Sequence, residues 1–373
     1  MNFEEHASKV LLKAVGITVP ASRLVAHADE TVAAARDIGS CVIKAQVPTG
    51  KRGKAGGIAL AATPEETRAE AERILGMEIA GHTVERVLVE AQVPIASEFY
   101  AAILNDPVSK GPLILFSPEG GMDIEEIAVN HPDKLMRCPV DIRSGFEREK
   151  VLAALPESEG VCSDQIVDVL ERLYDAYQAN DAELLEVNPL VLTTGGDLIA
   201  LDCKFTLDDS AVKRQDDLAK LGTPDKYTEL EERSHAVGLR YIELDGNVGV
   251  LANGAGVTMT TMDAISHFGG KPANFLEIGG EAYRLAKEAL EIVLANPGVK
   301  SLIINFCGAF ARCDVMAEGV VAAWKELTPD IPVFFTIHGT GEDEAIAMVR
   351  GELGLEPYEY MDDAVKAAVE AAR

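Results

Sequence analysis

Val42 to Gly57 reads VIKAQVPTGKRGKAGG. Strand-like residues Cys41–Val47 carry a lysine, Lys44, in their interior and run directly into a loop of glycines and cations. Gly50, Gly53, Gly56 and Gly57 allow close backbone approach and positive φ, while Lys51, Arg52 and Lys54 supply charge that Lys44 extends from the strand. The whole chain carries a formal net charge of -27 and repels anions, so a local concentration of cations needs a cause. Two readings are open, a solvated basic turn or a cradle for polyphosphate. The loop is not a Walker A sequence: Ala55 follows Gly53-Lys54 where a hydroxyl residue would reach Mg²⁺. A nucleotide bound here needs its metal held elsewhere.

Ala182 to Lys204, AELLEVNPLVLTTGGDLIALDCK, offers that place. It reads as a β-hairpin turning at Thr194-Gly195-Gly196-Asp197. Glu186 and Asn188 share one face at the strand period of two, and Asp202 on the returning strand comes beside them. Two carboxylates and an amide carbonyl are hard oxygen donors suited to Mg²⁺. The plainer alternative is a carboxylate that caps a turn or pairs with Lys204.

These segments, together with LVEAQVPIASEFY, PEGGMDIEEIA, LDGNVGVLANGAGVTMTTMD and GGKPANFLEIGG, resemble the β subunits of succinyl-CoA synthetases nearly end to end, in the family's order and spacing. The resemblance implies an α/β chain: an N-terminal ATP-grasp domain, then a C-terminal flavodoxin-like, doubly wound parallel sheet of CoA-ligase type. The expected boundaries are 1–215 and 241–373, with 216–240 as connection. It implies nucleotide binding by Lys44, Lys51, Arg52, Gly53, Glu90, Val93 and Glu98, and Mg²⁺ binding by Asn188 and Asp202. Glu186 is expected to steady a phosphohistidine on a separate α subunit, which also holds most of the CoA site. Asn253 and the loop Ala309, Phe310, Ala311 are expected to contact the acid. The implied reaction consumes ATP or GTP, a small carboxylic acid and CoA. A carboxylate–amine ligase acting alone is disfavoured by the second half of the chain, and a regulatory subunit with a vestigial site by the intact Lys44, Glu186, Asn188 and Asp202.

Length and composition agree with that outline. A chain of 373 residues, 47% hydrophobic and poor in aromatics, can bury several aliphatic cores. Six cysteines lack a CxxC pair or zinc spacing and read as reduced packing residues. The N-terminus has no basic segment before an apolar run, and no run reaches the roughly 18 residues that span a bilayer, so a cytoplasmic protein is expected, with no nucleic-acid or membrane partner. Phe3–Val15 has helical spacing. Thr63, Pro64 and Glu66 give a helix start that Gly76 closes, and Ser163 begins a helix leading to the hairpin. Strands are expected at Val87–Ala91, Phe99–Leu104 and Leu113–Phe116. Asp208–Ser234 is charged, without an apolar run, and reads as the interdomain connection. Beyond it, strands at Val248–Asn253, Asn274–Ile278, Ser301–Phe306, Val333–Ile337 and Tyr358–Met361 alternate with helices, which gives a parallel sheet with ligands beyond its carboxyl ends. Of the histidines, only His338 falls at such an end.

Several positions depart from the family's pattern: Pro48, Glu281 after Gly279-Gly280, the run Asn305–Asp314 and Phe335-Thr336-Ile337-His338-Gly339. Phe310 in place of an aliphatic residue, Ala309 in place of a glycine and Thr336 in place of an arginine predict a narrower, less cationic acid pocket. The expected acid is then small and not succinate, the alternatives being a succinyl-CoA synthetase proper or a malate–CoA or sulfoacetate–CoA ligase.

Overall fold

The computed structural model describes residues 1–158, 160–224, 226–278 and 282–373, so the departure at Glu281 lies outside the described residues. The chain divides into two compact units, residues 1–225 and 226–373.

The first unit opens with helix α1 (Glu5–Ala14), followed by β1 (Ser22–Val25), α2 (Ala28–Ile38), β2 (Cys41–Gln46), β3 (Ile58–Ala61), α3 (Pro64–Ile74) and β4 (Arg86–Ala91). The four strands form an antiparallel sheet in the order β1-β4-β2-β3. Cys41, Ile43 and Ala45 of β2 face the core beneath α2 and α3, so the intervening Val42 and Lys44 face the other way. The expected start of α3 is present: the Thr63 hydroxyl accepts from the Glu66 amide, and the Glu66 carboxylate reaches back to the Ala62 amide rather than to Thr63. Gly76 follows at φ +81°, the left-handed conformation that ends such helices.

A second antiparallel sheet is built from β5 (Ile95–Asp106), β6 (Gly111–Ser117), β7 (Met136–Pro139), β8 (Ala182–Thr193), β9 (Leu198–Ala200) and β10 (Lys204–Leu207). Helix α4 (Ser163–Ala179) and α1 cover one face, with Leu12, Phe99, Phe116, Leu170 and Leu185 fully buried between them. Residues 209–219 of the expected connection pack on this unit, where Ala211 and Leu218 enter the same core.

The second unit carries β11 (Tyr241–Glu243), β12 (Val248–Ala252), α5 (Ala255–His267), β13 (Asn274–Leu276), α6 (Ala286–Ala295), β14 (Ser301–Gly308), α7 (Cys313–Leu327), β15 (Val333–Gly339) and α8 (Met361–Ala371). Strands β12, β14 and β15 pair in parallel. Helices α6 and α7 cover one face and α5 and α8 the other, the doubly wound arrangement.

Two of the expected strands take a different form. β13 lies beside β12 with parallel bridges at Pro272 and Glu277, but between them the Asn274 side chain replaces the ladder. Its Oδ1 accepts from the Val250 amide (3.0 Å) and its Nδ2 donates to the Val250 carbonyl (2.8 Å). The fifth strand, Tyr358–Met361, is reduced to one bridge between Tyr358 and Thr336. Pro357 lacks an amide hydrogen and α8 begins at Met361, which leaves no length for a ladder. The spatial order β13-β12-β14-β15-Tyr358 puts the topological switch between β12 and β14.

Candidate functional site

Six charged side chains converge in the first unit: Glu5 and Lys9 from α1, Lys44 from β2, Arg52 from the glycine loop, Glu90 from β4 and Asp202. Lys44 Nζ donates to Glu90 Oε1 (2.7 Å), Glu5 Oε1 (3.0 Å) and the Leu201 carbonyl (2.6 Å). Lys9 Nζ donates to the same two carboxylates and the same carbonyl, the last at 2.7 Å. Arg52 Nη2 grips both oxygens of Asp202 at 2.7 and 2.6 Å, and Nη1 donates to the Ala45 carbonyl at 3.0 Å. Five of the six are buried; Asp202 is the exception, with its side chain 33% exposed. Burial would raise the Glu5 carboxyl, yet Lys44, Lys9 and Arg52 around it prevail and hold it well below the usual range. Burial would lower Lys44, and Glu5 and Glu90 more than reverse that.

The loop therefore differs from the expectation of free cations. Arg52 points inward, and only Lys51 and Lys54 project, both towards Asp123 at 3.8 and 2.6 Å. Of its four glycines only Gly56 has positive φ, while Lys51 itself sits at +61°. Gly57 is required for another reason: a Cβ there would collide with Ile79 and press on Ala45 and the Arg52 carbonyl.

Lys44, Lys51, Arg52, Gly53, Glu90 and Val93 all line a cavity of about 540 Å³, a volume within the usual range for ligand pockets. Its wall is largely apolar, with Ile58, Leu60 and Ile95 contributing to it. Glu98 lines neither this cavity nor the next. It lies behind the 120–121 turn, where its carbonyl accepts from the Gly120 amide (3.0 Å) and its carboxylate occupies the space a Cβ on Gly121 would need.

Lys51, Arg52, Asp123, Asn188 and Asp202 also border a smaller cavity of about 190 Å³, which Glu186 and Lys204 complete. The hairpin delivers these residues less regularly than its alternation suggests. β8 shifts register between Val187 and Leu190, and the returning strand is broken into β9 and β10, with Asp202 in the gap. Glu186 pairs in register with Lys204 and accepts a hydrogen bond from the Tyr100 hydroxyl (3.0 Å). Burial raises the Glu186 carboxyl above its ordinary value despite that bond, and burial with the Glu186 charge lifts the Tyr100 phenol strongly. Asn188 Oδ1 accepts from the Gly121 amide (2.8 Å) and Nδ2 donates to the Met122 carbonyl (2.9 Å), which orients the amide and leaves one Oδ1 lone pair open.

Among the described residues no group of three or more His, Cys, Asp or Glu side chains could hold a metal. Asn188 Oδ1 and the Asp202 carboxylate are two hard oxygens beside a phosphate-sized space. That is the sparse protein contribution Mg²⁺ accepts when phosphate and water supply the rest. Among the described residues no histidine lines either cavity. The sequence reading missed Glu5, Lys9, Tyr100 and Asp123. Glu5 and Lys9 left a trace, since with Ser8 and Leu12 they occupy the buried stripe of α1, where charge is out of place.

In the second unit, Asn253 stands at the switch between β12 and β14. Its amide bonds the Cys307 backbone in both directions, Nδ2 to the carbonyl at 2.8 Å and Oδ1 from the amide at 2.6 Å. Gly254, at φ +92°, then opens α5. Of the three substitutions read as reshaping the acid pocket, only Thr336 lies in the core, out of a ligand's reach. Phe310 is 100% exposed, between the exposed Ala309 and the half-buried Ala311. Thr336 is fully buried, donating to Asn305 Oδ1 (2.6 Å), while Asn305 donates to Thr261. It presents nothing to a ligand. His338 is exposed at the carboxyl end of β15, in register with Cys307. Four of the six cysteines are buried and all six are free. Among the described residues no helix is long and apolar enough to cross a membrane.

The sequence matches the ATP-grasp domain family over residues 2–192 and the CoA-ligase family over residues 251–369. It is 41% identical to the β subunit of a GDP-forming succinate–CoA ligase from Thermus thermophilus, with 94% of each chain covered. It is 40% identical to the ADP-forming counterpart from Rubrobacter xylanophilus, covering 100% of this chain and 99% of that one. ATP citrate lyase from Methanothrix soehngenii, solved with citrate and coenzyme A, shares the fold at a TM-score of 0.74 and 23% identity, with 99% of each chain covered. The chain belongs to the succinate–CoA ligase β-subunit family, an ATP-grasp domain followed by a CoA-ligase domain in an acid–thiol ligase.

Proposed function

We propose that this chain binds a nucleoside triphosphate in its first unit and directs the γ-phosphoryl group to a histidine of an α subunit. The phosphoryl group then passes to the carboxylate of a small acid, and the CoA thiol displaces phosphate to give the thioester. The convergence of Glu186, Asn188 and Asp202 on one small cavity beside the 540 Å³ cavity carries this reading. Base and ribose fit the apolar wall of the larger cavity, and the phosphates fit the junction bordered by Lys51 and Arg52. Asn188 and Asp202 would hold Mg²⁺, which neutralises phosphate charge as the phosphoryl group is transferred. Glu186, ionised, accepts a hydrogen bond from the imidazole of the partner and keeps the attacking nitrogen in line. The Tyr100 hydroxyl fixes the carboxylate and favours its ionised form.

The partner's phosphorylated histidine and most of the CoA site are assigned to the α subunit, and the cytoplasm is the proposed compartment. We assign succinate as the first acid to test, on the names of relatives at 41% and 40% identity. Thr336 is fully buried, which removes one of the grounds for excluding succinate. The test combines the purified chain with its α subunit and measures ATP–ADP exchange, then CoA-dependent nucleoside diphosphate release with succinate, malate and sulfoacetate. Exchange should require both chains and should disappear in Asp202→Ala. Exchange by this chain alone, or unchanged exchange in that variant, would overturn the assignment.

A further inference from the structure

Asp202 faces a conflict that the geometry makes explicit. As a metal-holding residue it must present its carboxylate to a cation, yet the Arg52 guanidinium engages both of its oxygens and the Cys203 amide also donates to Oδ1, which leaves one lone pair open, on Oδ2. The guanidinium stands where a cation's charge would be needed and balances Asp202 in the chain without nucleotide. For the Asp202 carboxylate to turn fully to Mg²⁺, with no second cation against it, Arg52 must place its charge elsewhere without leaving the buried cluster, because an unpaired guanidinium there is costly.

Glu5 is placed to receive it. Its Oε1 accepts from Lys9 and Lys44, but its Oε2, fully buried, has no hydrogen-bonded partner. That oxygen lies 2.7 Å from Arg52 Nη1, which is aligned instead on the Ala45 carbonyl. A small rotation of the guanidinium would convert this close ion pair into an aligned hydrogen bond as the grip on Asp202 is released. Lys9 and Lys44 meanwhile hold the Leu201 carbonyl, so the backbone that carries Asp202 stays in place while its side chain changes partner.

We infer that Glu5, which borders the smaller cavity but keeps its free oxygen buried against Arg52, is a positioning residue: the carboxylate that takes Arg52 when Asp202 is given to the metal. The inference rests on the assignment of Asn188 and Asp202 as the metal-holding pair, and it adds a role for α1 in loading that site.

The test measures Mn²⁺ binding to the full chain at saturating ADP by electron paramagnetic resonance of the free ion, and ADP binding without metal by calorimetry. Glu5→Gln keeps the shape and removes the charge. It should weaken Mn²⁺ by about tenfold or more while metal-free ADP affinity holds or improves, and Glu5→Asp should restore most of the loss. Arg52→Gln removes the competing cation. In that background Glu5→Gln should no longer weaken Mn²⁺, and this pair also loses one charge of each sign, which guards against a variant that fails to fold.

Asp202→Asn separates the two claims. If it leaves Mn²⁺ affinity unchanged, the metal assignment itself fails. If it weakens Mn²⁺ but Glu5→Gln stays within about threefold of the parent, or loses ADP affinity in step with Mn²⁺, the positioning role is overturned.

Discussion

Replacing Lys44 by methionine removes one cation from a buried cluster of three carboxylates and three cations. Lys44 makes three hydrogen bonds, to Glu90, Glu5 and the Leu201 carbonyl, and its side chain is 8% exposed. Methionine fills most of the volume, so the cost comes from charge: Glu5 and Glu90 remain buried with one counter-ion fewer. Breaking a buried pair from one side costs about 3–5 kcal/mol, because the remaining charge is neither solvated nor paired. The cost should be recoverable. In Lys44→Met/Glu90→Gln the cluster is neutral again, with Lys9 still able to donate to the carbonyl of the introduced amide, and at least about 2 kcal/mol should return. Hydrogen exchange of peptides from β2 and β4 under increasing urea reads this locally. The single tryptophan, Trp324, lies in the second unit and reports that unit separately. If the single variant costs less than about 1 kcal/mol, or the double variant costs the sum of its parts, the cluster is not the desolvated, mutually dependent network described here.

Other tests address protonation and the second sheet. The Tyr100 hydroxyl opposes the effect of burial on Glu186, so Tyr100→Phe should raise that carboxyl further and move the acidic limb of partner phosphorylation to higher pH. A limb that stays or moves down refutes the assignment of Glu186 as the titrating group. Glu5 is depressed in the fold, so its stabilisation is complete above the unfolded value of about 4.3 and is lost as pH falls through the lower folded value. The stability gap between the parent chain and Glu5→Gln should therefore close as urea unfolding is repeated from neutral pH down into that acid range. Asn274→Ala strands the buried Val250 amide and carbonyl and should cost about 3 kcal/mol, seen as faster exchange in β12 and β13. Exchange at the parent rate would mean that water or backbone replaces the side chain.

How much of this was legible follows from the range over which each interaction acts. Strand β2 and its loop could be read because alternation, glycines and cations are all local, and Lys44 stood out as a charge in an apolar run. The oxygens of Glu186, Asn188 and Asp202 could be read for the same reason, since one hairpin carries all three. The partners of those residues could not. Arg52 and Asp202 are 150 positions apart, and Lys9 and Glu90 are 81 apart. Local spacing can mark Glu5 and Lys9 as misplaced on a buried stripe, but it cannot say which carboxylate or ammonium compensates them. The parallel sheet behaves alike: its order follows from the βα alternation, whereas the replacement of a ladder by the Asn274 amide depends on which strand lies alongside.

The cations that mark the loop in the sequence are not the excess positive charge they suggest there. In the structure Lys44, Lys9 and Arg52 are matched one for one by Glu5, Glu90 and Asp202, and the exposed Lys51 and Lys54 share Asp123. A neutral cluster exerts little pull at a distance, and the net charge of -27 opposes an approaching polyphosphate. Binding must then draw on exchange at contact. On the proposed assignments, phosphate would replace carboxylate as the partner of Lys51 and Lys54, Glu5 would replace Asp202 as the partner of Arg52, and metal would replace guanidinium as the partner of Asp202. Each swap keeps the buried charges paired throughout, so the cluster can be both the stabilising centre of the first unit and the place where its ligand is received.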